Sequence, residues 1–472
     1  MEASIPIKFG TDGWRAIIAE DYTFTNVRAC MEATCRFLEG EGLAGRGLVI
    51  GWDTRFGSRA FAEACAEVAA AHGITVHLTE GPAATPIVSF ALLRKRAGGA
   101  VVITSSHNPA MWNGFKYKPE YAGSASPEVI AGIESHLPAI FAGGEPPRRP
   151  LADAEAEGLV RRFDPAPAYE QHVAQLVDLD GIRSASLRVA VDSMYGAGAG
   201  WFNRLLAGGG TKVRELHGEV NPAFPGIAAP EPIAKNLALL LEGIASDGAD
   251  VGLATDGDAD RLGIVDERGA FVNQLQVFAL LTYYLLEVRG ARGPIVKSVT
   301  TTQMVNRLGE LYGVPVHETP VGFKYLGPKM METDALIGGE ESGGYGFRGH
   351  IPERDGILAG LYFLDFIART GRRPSELLAD LYAKVGPHFY DRIDVHLDPE
   401  RRKAIEDRVI AAKPDELAGV RVVSRDTTDG YRFLLEGGGW LLIRFSGTEP
   451  LMRVYTEVRD EALVPKLLEA GR

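Results

Sequence analysis

Cysteine is scarce in this 472-residue chain, which has three such residues, Cys30, Cys35 and Cys65. Their number is odd, and no two of them have the Cys-x-x-Cys spacing that structural zinc sites use. The sequence therefore excludes a disulfide-stabilised scaffold and argues against a zinc site. We expect three buried, unpaired thiols.

Long apolar segments are lacking too. No run of 18 apolar residues occurs, and residues 1–8 do not have the basic stretch and apolar core of an export signal. Positive charge is in deficit, since 50 Lys and Arg stand against 62 Asp and Glu, for a formal net charge of −12. This balance argues against nucleic acid or a membrane surface as partner. We expect a cytoplasmic protein that binds small molecules, as a monomer or homodimer.

The chain is too long for one hydrophobic core, and its 46% hydrophobic residues can form several. Strand and helix patterns alternate through most of it, which predicts α/β domains with mixed, mostly parallel sheets. One amphipathic helix is predicted over residues 232–244. The last part has short alternating runs joined by turns, which predicts an antiparallel sheet in an α+β domain. We expect four domains, at residues 1–160, 161–268, 269–383 and 384–472.

A polar loop follows the apolar run at residues 99–103, which has the composition of a buried strand. The loop reads Thr104-Ser105-Ser106-His107-Asn108-Pro109, and open α/β sheets present reactive groups at this end of a strand. Ser106 is therefore the candidate nucleophile. By itself the Ser-His pair carries little weight, because neighbours on an extended chain point to opposite sides and His107 can simply cap the loop.

A second polar loop follows a second apolar run, residues 251–254, and reads Asp256-Gly257-Asp258-Ala259-Asp260-Arg261. Three carboxylates at alternate positions can converge on one hard cation such as Mg²⁺ and leave coordination sites open for a phosphate oxygen. With Glu267, the aspartates also match ligand positions of an EF-hand. However, Arg261 stands where that loop needs glycine, and a strand rather than a helix comes before it, so we set the EF-hand aside.

Five stretches together resemble the signatures of the α-D-phosphohexomutase family, in the family's order and across nearly the whole chain. They are residues 9–15, the serine loop, the aspartate loop, residues 338–344 and residues 444–450. The resemblance implies three α/β domains around a central cleft and a C-terminal α+β domain. It also implies an intramolecular phosphotransferase that interconverts hexose 1-phosphate and hexose 6-phosphate. Mg²⁺ would be the cofactor, and glucose 1,6-bisphosphate the intermediate or activator.

The resemblance assigns catalytic roles as well. Ser106 would carry the phosphoryl group and would bind the metal together with Asp256, Asp258 and Asp260. The other catalytic residues implied are His107, Lys116, Arg15 and Arg261. The two arginines suit the equatorial oxygens of a transferring phosphoryl group. Some family members carry His where this chain has Gly344, which leaves Lys116 and Lys324 as candidates for the acid or base.

Two further regions would contact a sugar phosphate. Glycines around Glu340 and Ser342 let backbone approach a ligand, and these side chains can bind vicinal hydroxyls, although both residue types also cap helices. Arg444 and Arg453 flank a Ser-Gly-Thr turn that can surround a phosphate, with an ordinary hairpin loop as the alternative. The binding set implied by the resemblance is Glu340, Ser342, Gly322, Lys324, Arg444, Ser446, Gly447, Thr448 and Arg453.

The identity of the sugar is a finer question. Residues 340–344 and 13–16 look more like glucose and mannose mutases than glucosamine mutases, so we expect a preference for glucose. The alternatives are mannose, dual glucose and mannose specificity, and glucosamine phosphate. Two other classes stay open: a sugar phosphatase, in which water takes the phosphoryl group, and a non-catalytic phosphoprotein that binds sugar phosphates.

Overall fold

Four successive units make up the chain, each built on its own β-sheet. The computed structural model describes residues 7–10, 12–445 and 451–472. The first three units are α/β with mixed sheets, and the fourth has an antiparallel sheet, so the predicted fold class is confirmed. Among the described residues, every helix is too short or too polar to cross a bilayer.

The first unit has a six-stranded sheet, and its elements are β1 (Trp14–Ile17), α1 (Phe24–Gly40), a 3₁₀ turn (Ala44–Arg46), β2 (Leu48–Trp52), α2 (Ser58–Ala71), β3 (Val76–Thr79), α3 (Thr85–Lys95), β4 (Gly99–Ile103), β5 (Trp112–Pro119), α4 (Pro127–Glu134), α5 (Leu137–Gly143), α6 (Leu151–Ala156) and β6 (Val160–Phe163). The strand order is β1-β5-β4-β2-β3-β6, and the last four strands are parallel. In β2, Val49 faces one apolar cluster while Leu48 and Ile50 face another, so helices cover both sides of the sheet. Strand β6 crosses the predicted boundary after residue 160, and the three predicted domain boundaries stay predictions.

The second unit has a five-stranded sheet, and its elements are α7 (Ala166–Leu176), α8 (Leu179–Ser184), β7 (Arg188–Asp192), α9 (Trp201–Leu206), β8 (Lys212–Leu216), a 3₁₀ turn (Ala234–Asn236), α10 (Ala238–Asp247), β9 (Val251–Thr255), β10 (Leu262–Val265) and β11 (Phe271–Val272). The strand order is β11-β10-β9-β7-β8. The predicted start of the helix at residue 232 was wrong. Residues 231–237 form tight turns instead, with the N–H of Ile233 donating to the carbonyl of Glu231. The α-helix therefore begins only at Ala238.

The third unit has a four-stranded sheet, and its elements are α11 (Gln274–Tyr283) with a π-helical continuation (Tyr284–Val288), β12 (Ile295–Ser298), α12 (Met304–Tyr312), β13 (Val316–Thr319), α13 (Phe323–Thr333), β14 (Ile337–Gly339), β15 (Tyr345–Phe347), α14 (Gly356–Thr370) and α15 (Pro374–Val385). The strand order is β13-β12-β14-β15. One cluster of buried apolar side chains runs through all three α/β units and includes Val49, Leu253 and Phe278. The three units therefore pack as one body.

The fourth unit has a six-stranded antiparallel sheet, and its elements are β16 (Phe389–His396), α16 (Pro399–Ala411), β17 (Glu416–Leu417), β18 (Val420–Asp426), β19 (Tyr431–Leu435), β20 (Trp440–Phe445), β21 (Leu451–Val458), a 3₁₀ turn (Glu461–Leu463) and α17 (Val464–Gly471). The strand order is β16-β21-β20-β19-β18-β17, and the unit has a core of its own. It contacts the third unit through a small apolar cluster, formed by Val299 with Trp440, Leu442 and Tyr455, and through polar groups. Arg432 donates to the carbonyl of Val299 at 3.2 Å, and Glu457 accepts the N–H of Gln303 at 2.7 Å.

Candidate active site

The serine loop leaves the sheet at the end of β4, and a buried polar framework holds its shape. Ser106 has a φ of 51°, in the left-handed region, and its side chain is buried. Its N–H donates to Oγ1 of Thr104 at 2.9 Å, while Nη2 of Arg55 donates to its carbonyl at 2.6 Å. Asp53 in turn accepts from Thr104 at 2.6 Å. These contacts stabilise a backbone conformation that few residues other than glycine adopt.

The aspartate loop leaves the neighbouring sheet at the end of β9 and folds back on itself. Oδ1 of Asp256 accepts the N–H groups of Asp260 at 2.9 Å and Arg261 at 3.1 Å. Asp256, Asp258 and Asp260 are fully buried, and one oxygen from each lies within 4.8 Å of the others. The predicted convergence of three carboxylates is therefore present in the fold.

The two loops meet. Oγ of Ser106 donates to Oδ2 of Asp256 at 2.8 Å, across the boundary between the first and second units. Gly257 makes this approach possible, because a Cβ at that position would overlap the carbonyl oxygen of Ser106. The hydroxyl thus lies directly beside the carboxylate cluster, as the phosphoserine hypothesis requires.

The carboxylates suit a hard divalent cation. Oδ1 of Asp258 and Oδ1 of Asp260 are buried and have no hydrogen-bond partner. Burial, and then the neighbouring Asp260 and Asp258, raise the pKa of Asp256 well above its ordinary value, so negative charge is crowded here. Oxygen ligands without partners and an excess of buried carboxylate are what Mg²⁺ binding needs. The site can therefore hold Mg²⁺ through the three aspartates.

Lys116, on β5, points into the same cluster. Its Nζ lies 2.7 Å from Oδ2 of Asp12, 2.8 Å from Oδ2 of Asp258 and 3.4 Å from Oδ2 of Asp260. Burial alone would lower the pKa of Lys116, but Asp12, Asp258 and Asp260 outweigh it and raise that pKa. In this arrangement the side chain is an ammonium ion that holds its proton firmly, which suits it to stabilise negative charge.

His107, Arg15 and Arg261 lie around the serine loop and the aspartate beside it. Nδ1 of His107 lies 3.3 Å from Oγ of Ser106, and burial, then Arg261 and Arg15, lower the pKa of His107 well below its ordinary value. The ring is therefore neutral. Arg15 donates to Oδ1 of Asn108 at 2.7 Å, and Nε of Arg261 lies 4.0 Å from Oδ2 of Asp256. Arg15 thus contacts the serine loop, and Arg261 lies near the carboxylate that accepts from Ser106.

Sequence reasoning missed Arg354, which follows the predicted sugar-binding loop. Its Nη2 lies 2.8 Å from both Asp260 Oδ2 and Asp12 Oδ2, and its Nη1 lies 3.6 Å from Oε2 of Glu340. The guanidinium carbon lies 5.6 Å from the ring centroid of Phe323. Arg354 thus connects the aspartate cluster to the predicted sugar-binding residue. A run of three charged residues, 353–355, just before an apolar helix was the available signal.

A second buried ion pair was also missed. Nζ of Lys118 lies 2.7 Å from Oε2 of Glu353, which also accepts from Oγ of Ser124 at 2.6 Å. Lys118 contacts Oδ1 of Asp12 as well, at 3.1 Å. Asp12, from the opening motif, therefore binds cations from the first and third units. It lies at the centre of the network, although no role was predicted for it.

The predicted sugar-binding residues lie in the third unit beside this network. Glu340 is buried, and its Oε1 accepts the N–H of Gly322 at 2.8 Å. Oγ of Ser342 is buried without a hydrogen-bond partner. Lys324 is half-buried, and burial, then Arg444, lower its pKa. Arg354 joins Glu340 to the aspartates, so Glu340 lies in the same interior region as the aspartate cluster.

The predicted phosphate-binding residues are in the fourth unit. Arg444 and Arg453 are paired across β20 and β21, and Nε of Arg444 donates to Oδ1 of Asp429 at 2.9 Å. Oδ2 of Asp429 accepts the N–H of Val321 at 2.8 Å, so Arg444 lies beside the turn that contains Gly322. Three further residues predicted for this set lie outside the described residues: Ser446, Gly447 and Thr448.

Known proteins match the chain along its whole length. Family models for the phosphoglucomutase/phosphomannomutase α/β/α domains I, II and III match residues 6–142, 167–269 and 273–385, and the model for the C-terminal domain matches residues 402–470. A phosphoglucomutase/phosphomannomutase of Thermococcus kodakarensis is 31% identical, with 98% of this chain and 97% of the relative covered. A phosphoglucosamine mutase of Cereibacter sphaeroides is 33% identical, with the same coverage of 98% and 97%. Among solved structures, a Thermus thermophilus protein provisionally assigned as a phosphomannomutase superposes with a TM-score of 0.86 at 37% identity, covering 100% of this chain and 99% of the other.

Proposed function

This chain belongs to the phosphoglucomutase/phosphomannomutase family of the α-D-phosphohexomutase superfamily, and from that premise we propose that it interconverts glucose 1-phosphate and glucose 6-phosphate. The single observation that carries the chemistry is the 2.8 Å contact between Oγ of Ser106 and Asp256, within a cluster of three buried aspartates. A serine hydroxyl in this place can carry a phosphoryl group beside a divalent cation.

The proposed reaction has two transfers. In the first, the bond between phosphorus and Oγ of Ser106 breaks as the free hydroxyl of the sugar phosphate forms a new bond to phosphorus. The hydroxyl proton passes to a base, and Oγ of Ser106 takes up a proton as it leaves. The resulting glucose 1,6-bisphosphate then turns around. In the second transfer Oγ of Ser106 loses its proton and bonds to the other phosphorus, the bond from that phosphorus to the sugar oxygen breaks, the sugar oxygen is protonated, and the isomeric monophosphate leaves.

Asp256, Asp258 and Asp260 would hold Mg²⁺, which when bound neutralises charge on the transferring phosphoryl group. Arg15 and Arg261 would bind the equatorial oxygens of that group, and Arg444 would bind the phosphate that is not reacting. Of the two lysines considered as base, Lys324 is the better candidate, because its pKa is lowered whereas that of Lys116 is raised. Glu340 and Ser342 would bind the sugar hydroxyls.

The choice of glucose depends on the sequence of the sugar-binding loop, Glu340-Glu341-Ser342-Gly343-Gly344, together with residues 13–16. Coupled assays with the 1-phosphates of glucose, mannose and glucosamine test it directly. We expect the largest kcat/KM for glucose 1-phosphate. If mannose 1-phosphate or glucosamine 1-phosphate gave the largest kcat/KM instead, the protein would catalyse the same reaction on a different sugar. Phosphate release without an isomeric product would instead indicate a phosphatase.

The role of Ser106 has a matched control in its neighbour. Ser105 is equally buried, but its hydroxyl has no hydrogen-bond partner and does not contact the aspartates. Ser106→Ala should abolish turnover and the phosphoserine signal in peptide mass spectrometry, while Ser105→Ala should retain both. Turnover that survives in Ser106→Ala would refute the proposed phosphoenzyme.

A further inference from the structure

One of the three aspartates is held by a residue from a different unit. Thr85, the first residue of α3, donates from Oγ1 to Oδ2 of Asp258 at 2.5 Å, and its N–H donates to the backbone carbonyl of Asp258 at 3.0 Å. Both residues are fully buried. Two parallel contacts to the same residue fix the position of the aspartate backbone and the orientation of its carboxylate together.

The two oxygens of Asp258 are in very different environments. Oδ2 accepts hydrogen bonds from Thr85 at 2.5 Å and from Lys116 at 2.8 Å, whereas Oδ1 is buried and has no partner. The terminal torsion of an aspartate side chain is broad and soft, so its hydrogen bonds decide which oxygen points where. With Oδ2 taken by two donors, Oδ1 is the oxygen left for a cation.

We propose that Thr85 is a positioning residue that orients Asp258, so that this aspartate binds the divalent cation through Oδ1 alone. The inference depends on the proposed function only in taking the aspartate cluster as the metal site. Thr85 would act on the metal only through Asp258. It acts from the first unit on a ligand in the second, so it also joins the metal site to the packing of the two units.

Residues that orient a metal ligand through a hydrogen bond affect affinity by about 10-fold to 100-fold when removed. Thr85→Val keeps the shape of the side chain and removes the hydroxyl, and Thr85→Ser keeps the hydroxyl. Mn²⁺ is a suitable probe because carboxylate sites that take Mg²⁺ also take Mn²⁺. Titration of the unphosphorylated protein with Mn²⁺, followed by electron paramagnetic resonance, measures affinity without any turnover.

We expect Thr85→Val to weaken Mn²⁺ binding about 10-fold or more, and Thr85→Ser to stay within about 3-fold of the wild type. Thr34→Val is the matched control, because Thr34 is also fully buried in the first unit but donates to the carbonyl of Cys30, within α1. It should not change Mn²⁺ affinity. Thr85→Ala also removes the hydroxyl and adds no bulk, so it should weaken Mn²⁺ binding as Thr85→Val does. It replaces Thr85→Val in the experiment if the valine variant does not fold.

The outcomes separate this inference from the proposed function. Wild-type protein that binds no Mn²⁺ would overturn the metal assignment, and the inference with it. Wild-type binding together with unchanged affinity in Thr85→Val and Thr85→Ala would overturn the role of Thr85 alone. An equal loss of Mn²⁺ affinity in Thr85→Ser and Thr85→Val would also overturn the role of Thr85, because the hydroxyl would then not be the group that orients Asp258.

Discussion

The side chain of Arg354 fills the space beside Gly344, so that a Cβ on the glycine would overlap Cγ and Cδ of the arginine. This close approach lets Arg354 reach Asp260 and Asp12, each at 2.8 Å. Gly344→Ala should therefore displace the arginine and lower kcat about 10-fold or more, because preorganised charge near the reacting group is lost. Steady-state kinetics of Gly344→Ala, Arg354→Ala and the double variant test this.

The double variant should be no slower than Arg354→Ala, since the group that the new methyl displaces is already gone. Gly143→Ala is a suitable control, because a Cβ on that glycine meets no atom within 4 Å. Effects of Gly344→Ala and Arg354→Ala that simply multiply would mean that the two residues act independently.

Lys116 is the counter-ion of two buried carboxylates and of Asp12, which is partly buried, and we expect loss of Lys116 to destabilise the fold. Lys116→Met leaves Asp12, Asp258 and Asp260 without this partner, and breaking a buried pair in this way typically costs about 3–5 kcal/mol of unfolding free energy. A divalent cation can replace part of the lost charge. Urea unfolding should therefore show a larger stabilisation by Mg²⁺ in Lys116→Met than in the wild type.

Lys212→Met is the control for Lys116→Met. Lys212 is exposed on β8 and its Nζ donates to the carbonyl of Gly209, so loss of the ammonium should change stability by less than about 0.5 kcal/mol. If Lys116→Met is as stable as Lys212→Met, the ammonium does not balance the aspartates.

Residues that follow buried strands were the part of this site that sequence could predict. Ser106 and Asp256 each come directly after an apolar run, and the ends of such strands lie at one edge of a sheet. Arg354 was missed for a physical reason: its partner Asp12 is 342 residues away in the chain, and no local pattern encodes that contact. Lys118 and Glu353, separated by 235 residues, were missed in the same way.

In the fold too, features set by local sequence were predictable and features set by distant contacts were not. The antiparallel fourth sheet was predictable because runs such as residues 431–435 and 452–458 are short and alternate between apolar and polar side chains. The start of α10 was not, because residues 231–237 have helical composition yet form tight turns, and Glu231 there pairs with Arg261 at 3.2 Å. A tertiary contact thus accompanies the departure from local propensity.

Phosphorylation of Ser106 should make the protein more dependent on metal. Oγ of Ser106 lies 2.8 Å from a carboxylate oxygen of Asp256, so a phosphate there brings two negative groups together. When a chelator has removed divalent cations, the phosphorylated protein should have a lower Tm than the unphosphorylated protein. Mg²⁺ should raise Tm more in the phosphorylated form, since ligands that bind only the native state stabilise it. Differential scanning calorimetry of the two forms provides the measurement, and equal Mg²⁺ shifts would contradict it.

His172 should make the fold sensitive to mild acid. Its ring stacks on Phe90 with centroids 4.4 Å apart, and Nε2 lies 3.1 Å from Nδ1 of His350, which in turn contacts Asp355. Burial, and then His350, lower the pKa of His172 to about 4. Between that value and the ordinary pKa of about 6.5, the unfolded chain binds a proton that the folded chain does not, so stability falls as pH drops through this window.

His172→Phe keeps the stacking and removes the titration. Its unfolding free energy should therefore decline less than that of the wild type between about pH 6.5 and pH 4, by about 1 kcal/mol after allowance for solvent screening of a half-exposed ring. Urea unfolding at several pH values measures the difference between variant and wild type, in which the titrations common to both cancel. A difference that does not change with pH would refute the role of His172.

His72 should act in the opposite direction. Nε2 and Nδ1 of its ring lie 2.7 Å from Glu32 and 2.8 Å from Glu39. Burial alone would lower the pKa of His72, but hydrogen bonds and charge from the two glutamates outweigh it and raise that pKa. The stabilisation is therefore fully present below the unfolded pKa of about 6.5 and is lost as pH rises through the pKa of the folded state.

His72→Gln should lower the free energy of unfolding most at acidic pH, by about 1 kcal/mol or less because the pair is partly exposed. At alkaline pH the substitution should have little effect. The same urea series tests both histidines, and a cost for His72→Gln that grows with pH would show that the ring is not held as a cation between the glutamates.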